Sequence, residues 1–419
     1  MDVLIIGGGG REHAIALQLK KSKNLGKLYC APGNGGIAEL AECVDISVMD
    51  FDAILEFLDS HPNIGLTVVA PDNPLAEGLV DKLEQHGHRA FGPRKAAARI
   101  ESSKVFAKHL MKKYNIPSAE YEVFDDYQKA AEYIKGAKYP LVVKADGLAY
   151  GKGVIICKNL SEAAEALQEI MQDKKFGASG SSVVIEEFLE GKEVSVLTFC
   201  DGVTIVPMPA SQDHKRAFDN DLGPNTGGMG AFCPSLIYNE KVADYTYTNI
   251  ILPTVSALVA EGCPFKGVLY FGLMVTASGV KVLEYNARFG DPETQAILPL
   301  LQTDLLEIMN AVVDQRLSEI DIKWSNEACL CVIVASGGYP GDFRRGMEIS
   351  IAPFEEGITL FHAGTKSDKG RLVTSGGRVI GVGAKGSTLA ECRRRVYNNI
   401  DKIRFDNSFY RKDIGVDHD

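Results

Sequence analysis

A chain of 419 residues, 45% hydrophobic and 24% charged, is too long for one ordinary core and too apolar for disorder, so it is expected to fold as several soluble domains. Its net charge of −10 argues against non-specific nucleic-acid binding, and no apolar run reaches the ~18 residues that a membrane-spanning helix needs. The cysteines lack zinc spacing, and only Cys329 and Cys331 lie close, as a C-x-C with both thiols on one strand face. They read as reduced, buried thiols of a cytoplasmic protein.

The first apolar run, DVLII at 2–6, has no basic lead and gives way to glycine, which predicts a buried strand and not a signal peptide. A helix follows at 11–21. KLYCAPG, LTVVAP and RAFGP supply further short strands, so residues 1–100 are expected to form a parallel α/β domain with both sheet faces covered. Gly7 to Gly10 and Arg11 join the first strand to its helix, the setting of a dinucleotide fingerprint. The spacing fails, because the third glycine of G-x-G-x-x-G falls at Glu12. Free N–H groups at this helix start still suit a phosphate, with Arg11 adding charge; the alternative is a tight turn.

Ser102 or Ser103 is placed to cap a helix through KVFAKHLMKKY, which ends at Asn115-Ile116-Pro117. Residues 121–190 then read strand, helix, two strands, helix, strand, a compact α+β unit. Its central loop, KADGLAYGKGV at 144–154, is not a Walker loop: Gly153 stands where Ser or Thr is needed, and VIIC continues as strand. The loop is expected to tip a hairpin whose glycines let backbone N–H groups approach a polyphosphate, with Lys144 beside them; the alternative is a mobile surface hairpin.

Residues 191–325 carry long strands, EVSVLTFC, TIVPMP, GVLYFGLMV and VKVLEYN, around two polar loops, SQDHKR at 211–216 and NTGGMGA at 225–231. On the last strand Glu284, Asn286 and Arg288 share one face. A carboxylate and an amide oxygen two residues apart suit magnesium, and an arginine beside them suits a substrate carboxylate or a transferring phosphate. Burial of such groups on an apolar strand would be costly without a use. Residues 326–419 begin with CLCVIVAS and end in a helix from Thr388, where Thr388-x-x-Glu391 is a capping-box pattern.

These stretches, with GGREHA, APGN, VIEEFL, RFGDPETQ, HAGT, GGRV and RKDIG in order along nearly the whole chain, resemble the ATP-grasp ligases and, within them, the phosphoribosylamine–glycine ligase family of purine biosynthesis. The resemblance implies an α/β and α+β multidomain fold. Residues 1–100 would hold phosphoribosylamine, 101–120 with 191–325 the ATP-grasp core, 121–190 a lid with a glycine-rich flap, and 326–419 a C-terminal domain. It implies an enzyme that phosphorylates the glycine carboxylate with ATP before 5-phosphoribosylamine attacks. Lys144, Lys215 and Arg288 would be the catalytic cations. ATP would meet Lys104, Lys144, Gly151, Lys152, Gly153, Glu186, Glu187, Leu189 and Glu193. Glycine would meet Asp213 and Arg288, phosphoribosylamine Gly9, Gly10, Arg11, Asn34 and Asp72, and Mg2+ or Mn2+ Glu284 and Asn286. The partners implied are these small molecules, not nucleic acid or membrane, and the chain would act as a monomer.

The sequence departs from the family pattern in places. Asp72 stands where the family usually has Glu, Tyr150 enlarges the flap, and Gly8 replaces a common Asn. GVLYFGLMV offers no second metal-binding acid, so a second ion would lean on phosphates and water. A carboxyaminoimidazole ribonucleotide synthase, a nicotinamide-dependent oxidoreductase and a nucleotide-sensing module are the competing readings. QDHKR and RFGDPETQ disfavour the first, the failed fingerprint the second, and the complete residue set the third.

Overall fold

Strict alternation along the first strand sets the N-terminal architecture. In Asp2–Gly7 the side chains of Val3 and Ile5 pack with Ile15, Leu19 and Met309, while Leu4 and Ile6 pack with Ile54, Leu58 and Leu79. A strand buried on both faces belongs at the centre of a parallel sheet. The computed structural model, which describes residues 1–148 and 153–416, shows that sheet in the order Glu42–Cys43, Leu28–Pro32, Asp2–Gly7, Ile64–Val69, Ala90–Phe91. Pairing spreads in opposite directions from Asp2–Gly7, so a crevice opens at the carboxyl ends of that strand and Ile64–Val69. Arg11 and Asp72 follow directly from those two ends.

Two antiparallel sheets come next. Tyr121–Phe124, Val183–Glu187, Leu141–Ala145 and Val154–Cys157 form one in that order, so residues 141–157 do make the expected hairpin. Gly151, Lys152 and Tyr150 at its tip lie outside the described residues. Ile205–Pro207, Lys192–Asp201, Lys266–Thr276 and Gly279–Asn286 form the other. The last strand ends at Asn286, two residues short of Arg288.

A five-stranded sheet closes the chain in the order Gln212–Asp213, Gly230–Cys233, Ala328–Ala335, Arg378–Gly386, Ile358–His362. It draws two strands from residues 212–233, so the sheet near the C-terminus continues into the polar loops singled out above. Cys329 and Cys331 lie in its central strand, buried and unbridged. Of the two serines, Ser103 caps Lys104–Lys113 by accepting from the Phe106 N–H at 3.1 Å. At Leu389–Asn399 the capping box is half formed. Thr388 accepts from Glu391 N–H, but Glu391 turns its carboxylate to the N–H and hydroxyl of Ser387 instead of to Thr388. The hydroxyl offers a second bond that a return to Thr388 would lack. No helix of the described residues is long and apolar enough to cross a membrane.

The helix Gly10–Leu19 and the last sheet meet at two buried histidines. His362 N–H donates to His13 Nδ1 at 2.7 Å, and the His362 ring bonds Thr365 Oγ1 at 3.2 Å. Burial, with His362 adding repulsion, pushes His13 down to about 3; burial alone pushes His362 down to about 4. Folded values below the unfolded 6.5 mean that this stability is complete above pH 6.5 and lost as pH falls towards 4 and then 3. Each histidine is expected to cost about 2 kcal/mol of stability by about pH 5. Urea unfolding at neutral pH and near pH 5 checks this: His13→Asn, which retains an acceptor but cannot ionise, should lose less stability over that range than the parent by about this amount.

Candidate active site

One cleft of about 1090 Å³ runs between the crevice of the first sheet and the two antiparallel sheets. Its walls interleave lysines and arginines with carboxylates.

At one end, Lys104 and Lys108 project from Lys104–Lys113 one turn apart. Lys144 on Leu141–Ala145 and Glu186 on the neighbouring Val183–Glu187 complete the wall. Glu186 Oε2 lies 2.9 Å from Lys144 Nζ and 3.3 Å from Lys108 Nζ, with all three side chains buried. The other carboxylate oxygen, Oε1, is buried without a partner. Lys144 also donates to the Leu283 carbonyl at 3.1 Å, and Lys104 to the Gly147 carbonyl at 2.8 Å. Desolvation outweighs Glu186 and lowers Lys108 to about 8. Desolvation likewise lowers Lys104, although Glu284 opposes it. Two buried lysines share one carboxylate, so this wall is short of negative charge. Leu189 and Gly153 also line it, while Glu187 turns to an ion pair with Lys281 at 2.7 Å.

The middle of the cleft is built on Gly279–Asn286 and on the loop that follows Gln212–Asp213. Lys215 Nζ lies 2.9 Å from Glu193 and 3.4 Å from Glu284. Burial works against its charge, but Glu193, Glu284 and Asp213 outweigh it and hold the ammonium firmly protonated. Burial pushes Glu284 upward, yet Lys215, Lys144 and Lys104 together bring it below the usual carboxylate range. Asp213 is raised, chiefly by burial and partly by Glu293, Glu193 and Glu284, with Lys215 opposing. Gly272 faces Glu284 across the sheet, where an added Cβ would meet Glu284 Cγ at 2.9 Å. Behind them the Tyr270 hydroxyl donates to Glu293 at 3.0 Å and shares a 2.8 Å bond with Ser195.

At the far end Arg288, just past its strand, folds back so that Nη2 donates to Asn286 Oδ1 at 2.9 Å and pairs with Glu101 at 3.0 Å. The other Glu101 oxygen accepts from the Ala287 N–H at 2.7 Å. Against burial, Glu101 and Asp72 keep the guanidinium charged. Arg11 pairs with Glu12 at 2.8 Å and donates to the Phe289 carbonyl at 3.0 Å. The Gly9 N–H donates to Glu12 Oε2 at 2.6 Å, so a side chain of the same helix already meets this helix start. Arg378 lies 3.3 Å from Asp291 nearby.

The structure therefore gathers Lys104, Lys144, Glu186, Glu193, Asp213, Lys215, Glu284, Asn286, Arg288, Arg11 and Asp72 around one cavity. Gly9, Gly10 and Asn34 are not among the residues that line it. Asn34 spends its side chain on the protein, donating to the Gly8 and His362 carbonyls and accepting from the Gly36 and Ile37 N–H groups. Lys108, Glu101, Glu293, Tyr270 and Arg378 line the cavity too and escaped the sequence reading. Lys108 had a signal, its four-residue spacing from Lys104 on one helix; Glu101 had none.

Two antiparallel sheets beside a cleft of paired cations and carboxylates suit an ATP-grasp enzyme, the class that the match to a family model shows. The Phosphoribosylglycinamide synthetase, ATP-grasp (A) domain matches residues 102–294, with that family's N domain matching 1–101 and its C domain 329–417. The chain belongs to the phosphoribosylglycinamide synthetase family. It is 48% identical to the phosphoribosylamine–glycine ligase of Caldanaerobacter subterraneus subsp. tengcongensis over 99% of this chain and 100% of that one. The crystal structure of phosphoribosylamine–glycine ligase from Thermotoga maritima superposes with a TM-score of 0.87 at 34% identity, covering 99% of this chain and 100% of that one. The biotin carboxylase domain of a 2-oxoglutarate carboxylase from Hydrogenobacter thermophilus, in complex with MgADP and bicarbonate, shares the fold at 14% identity with a TM-score of 0.75, covering 98% and 91%.

Replacing Lys144 by Met leaves Glu186 buried with Lys108 alone. The pair that remains is balanced, so Lys144→Met is expected to change the unfolding free energy by no more than about 1 kcal/mol, read from urea melts, with the native secondary structure retained below the transition.

Proposed function

We propose that this chain joins glycine to 5-phosphoribosylamine, consuming ATP and releasing glycinamide ribonucleotide, ADP and phosphate, as a step of purine biosynthesis. The observation that carries this reading is the convergence of four cations from separate elements on a single cleft. Nucleotide and carboxylate are both anions, and Lys104, Lys144, Lys215 and Arg288 all face the space where they would meet. Membership of the family sets aside the carboxyaminoimidazole ribonucleotide alternative.

In this reading the end with Lys108, Lys144 and Glu186 takes ATP. Its phosphates supply the negative charge which that wall lacks, and Glu187, Leu189 and Glu193 extend the adenine and ribose contacts. Residues 121–190 act as the lid, with Gly151, Lys152 and Gly153 in its flap, over a core of 101–120 and 191–325. Lys215 and Arg288 neutralise the glycine carboxylate as it takes the phosphoryl group. Asp213, costly to ionise when alone, gains a partner in the glycine ammonium. Phosphoribosylamine enters from the crevice of residues 1–100, towards Arg11 and Asp72, with the Gly9, Gly10 and Asn34 loop shaping the wall. The 326–419 segment forms a C-terminal domain, and the enzyme acts as a cytoplasmic monomer.

A divalent ion fits the donor set. Glu284 presents a carboxylate 39% exposed to the cleft, Asn286 adds an amide oxygen, and their present partners, Lys215 and Arg288, are cations that an ion would replace. Among the described residues no three His, Cys, Asp or Glu side chains form a group that could hold a metal ion, so a Mg2+ or Mn2+ here would complete its shell with phosphate oxygens and water. When bound, such an ion would screen the terminal phosphates and polarise the transferring group.

Glu284→Gln removes one formal charge from this pair of oxygens. The magnesium concentration for half-maximal rate is expected to rise about tenfold or more, while nucleotide binding persists; an unchanged titration would take Glu284 out of the site.

The order of chemistry has its own test. If the phosphoryl group passes to the glycine carboxylate, one of that carboxylate's oxygens departs in the inorganic phosphate. With glycine labelled by oxygen-18 in its carboxylate and phosphoribosylamine generated in place, each phosphate should carry one labelled oxygen by mass spectrometry. Label in AMP would instead mean adenylate chemistry, and unlabelled phosphate would mean hydrolysis of ATP by water.

A further inference from the structure

Near the end of the described chain, residues 411–414 reach back to the loop that carries Asp213 and Lys215. Arg411 is only 2% exposed, the largest side chain that the fold buries completely. A guanidinium so enclosed is costly unless its donors are matched. Nε and Nη2 fork onto the two oxygens of Asp413 at 2.8 and 2.6 Å. Nη1 reaches the Arg216 carbonyl at 3.0 Å and Asp221 Oδ1 at 2.8 Å. Asp413 also accepts from the Asn220 N–H at 2.8 Å, and Lys412 N–H donates to Asp219 at 2.7 Å.

The fork itself stays within the segment, and every contact named beyond it falls on one small hairpin, Arg216–Phe218 paired with Leu222–Asn225. Its turn holds Asn220 and Asp221 at φ 59° and 52°, a conformation that needs outside support. The hairpin starts one residue after Lys215, whose carbonyl accepts from both the N–H and the hydroxyl of Thr226, at 2.7 and 2.9 Å. At the other end the 411–414 segment is pinned to Leu389–Asn399. The Tyr397 hydroxyl donates to the Arg411 carbonyl at 2.9 Å and accepts from the Ile414 N–H at 3.1 Å. A rigid path thus runs from the C-terminal helix through a buried fork to the side chains in the middle of the cleft. Arg411 itself does not line the cleft.

We propose that Arg411 and Asp413 are positioning residues that set the place of Asp213 and Lys215 in the cleft without touching substrate. The inference rests on the reading of that cleft as the place where glycine is phosphorylated. Lys104, Lys108 and Lys144 stand on a helix and a sheet that the fork does not touch, so loosening the fork separates the two ends of the site. The amino-acid end suffers and the nucleotide end does not.

Two variants test this in the full-length enzyme. Arg411→Lys keeps the charge and loses the fork. Asp221→Ala removes one arm of the tie from a side chain that is 69% exposed and lines the cleft on the nearby hairpin. Glycine-dependent ADP release is followed with glycine and then ATP varied, and a non-hydrolysable ATP analogue is titrated at equilibrium. Arg411→Lys is expected to lower kcat and raise the glycine KM by about tenfold or more, with analogue affinity kept within about twofold. Asp221→Ala should move the same two parameters in the same direction by less. Unchanged glycine kinetics in both variants would overturn the proposal, as would analogue affinity that falls in step with kcat. Should Arg411→Lys fail to fold, Asp221→Ala decides alone, and an unchanged glycine KM counts against the tie. Absence of glycine-dependent ADP release in the parent is a separate result, which would overturn the functional reading together with this proposal.

Discussion

The structure is organised around one electrostatic constraint: several cations must face a common, poorly solvated cavity without repelling one another apart. Most are tethered by a neighbouring carboxylate. Glu186 serves two lysines, Glu193 and Glu284 hold Lys215, Glu101 holds Arg288, and Glu12 holds Arg11. Such pairs contribute little net stability, because desolvation consumes most of the attraction. Their return is a preorganised field. An incoming polyanion meets charges already oriented, and the reorganisation that water would need has been made during folding.

The sheets follow from that arrangement. The first sheet presents its carboxyl ends to the cavity, the second supplies Lys144 and Glu186 on adjacent strands, and the third supplies Glu284 and Asn286 near a strand end. No sheet holds the whole set.

The fold was largely legible from the sequence because its strands are short, apolar and punctuated by glycine and proline. DVLII, LTVVAP and the hairpin around 144–154 all formed where period and punctuation placed them. The dense polar motifs likewise pointed to the cleft, since Glu and Arg within apolar strands demand a reason. What stayed hidden depends on contacts distant in sequence. Glu101 reads as one more acid at a helix end until Arg288, far along the chain, is seen beside it. Asn34 reads as a ligand-facing amide but spends its atoms on four backbone groups. The pairing of Gly230–Cys233 with Ala328–Ala335 was invisible because neither strand's pattern names its partner. Arg288 was placed on the strand by alternation, and the strand stopped before reaching it.

The shared five-stranded sheet bears on how this chain can be divided. Gln212–Asp213 and Gly230–Cys233 are covalently part of the middle of the chain, yet their ladder continues only through Ala328–Ala335. A fragment excised before residue 328 would keep every cleft carboxylate and lysine named above, but it would leave Gly230–Cys233 with a bare row of N–H and C=O groups beside the loop that carries Asp213 and Lys215. Bare strand edges recruit other chains. The last ninety residues are therefore not an appendage that recombination could freely exchange. They cover an edge that the catalytic segment cannot cover for itself, which ties the inheritance of the two parts together.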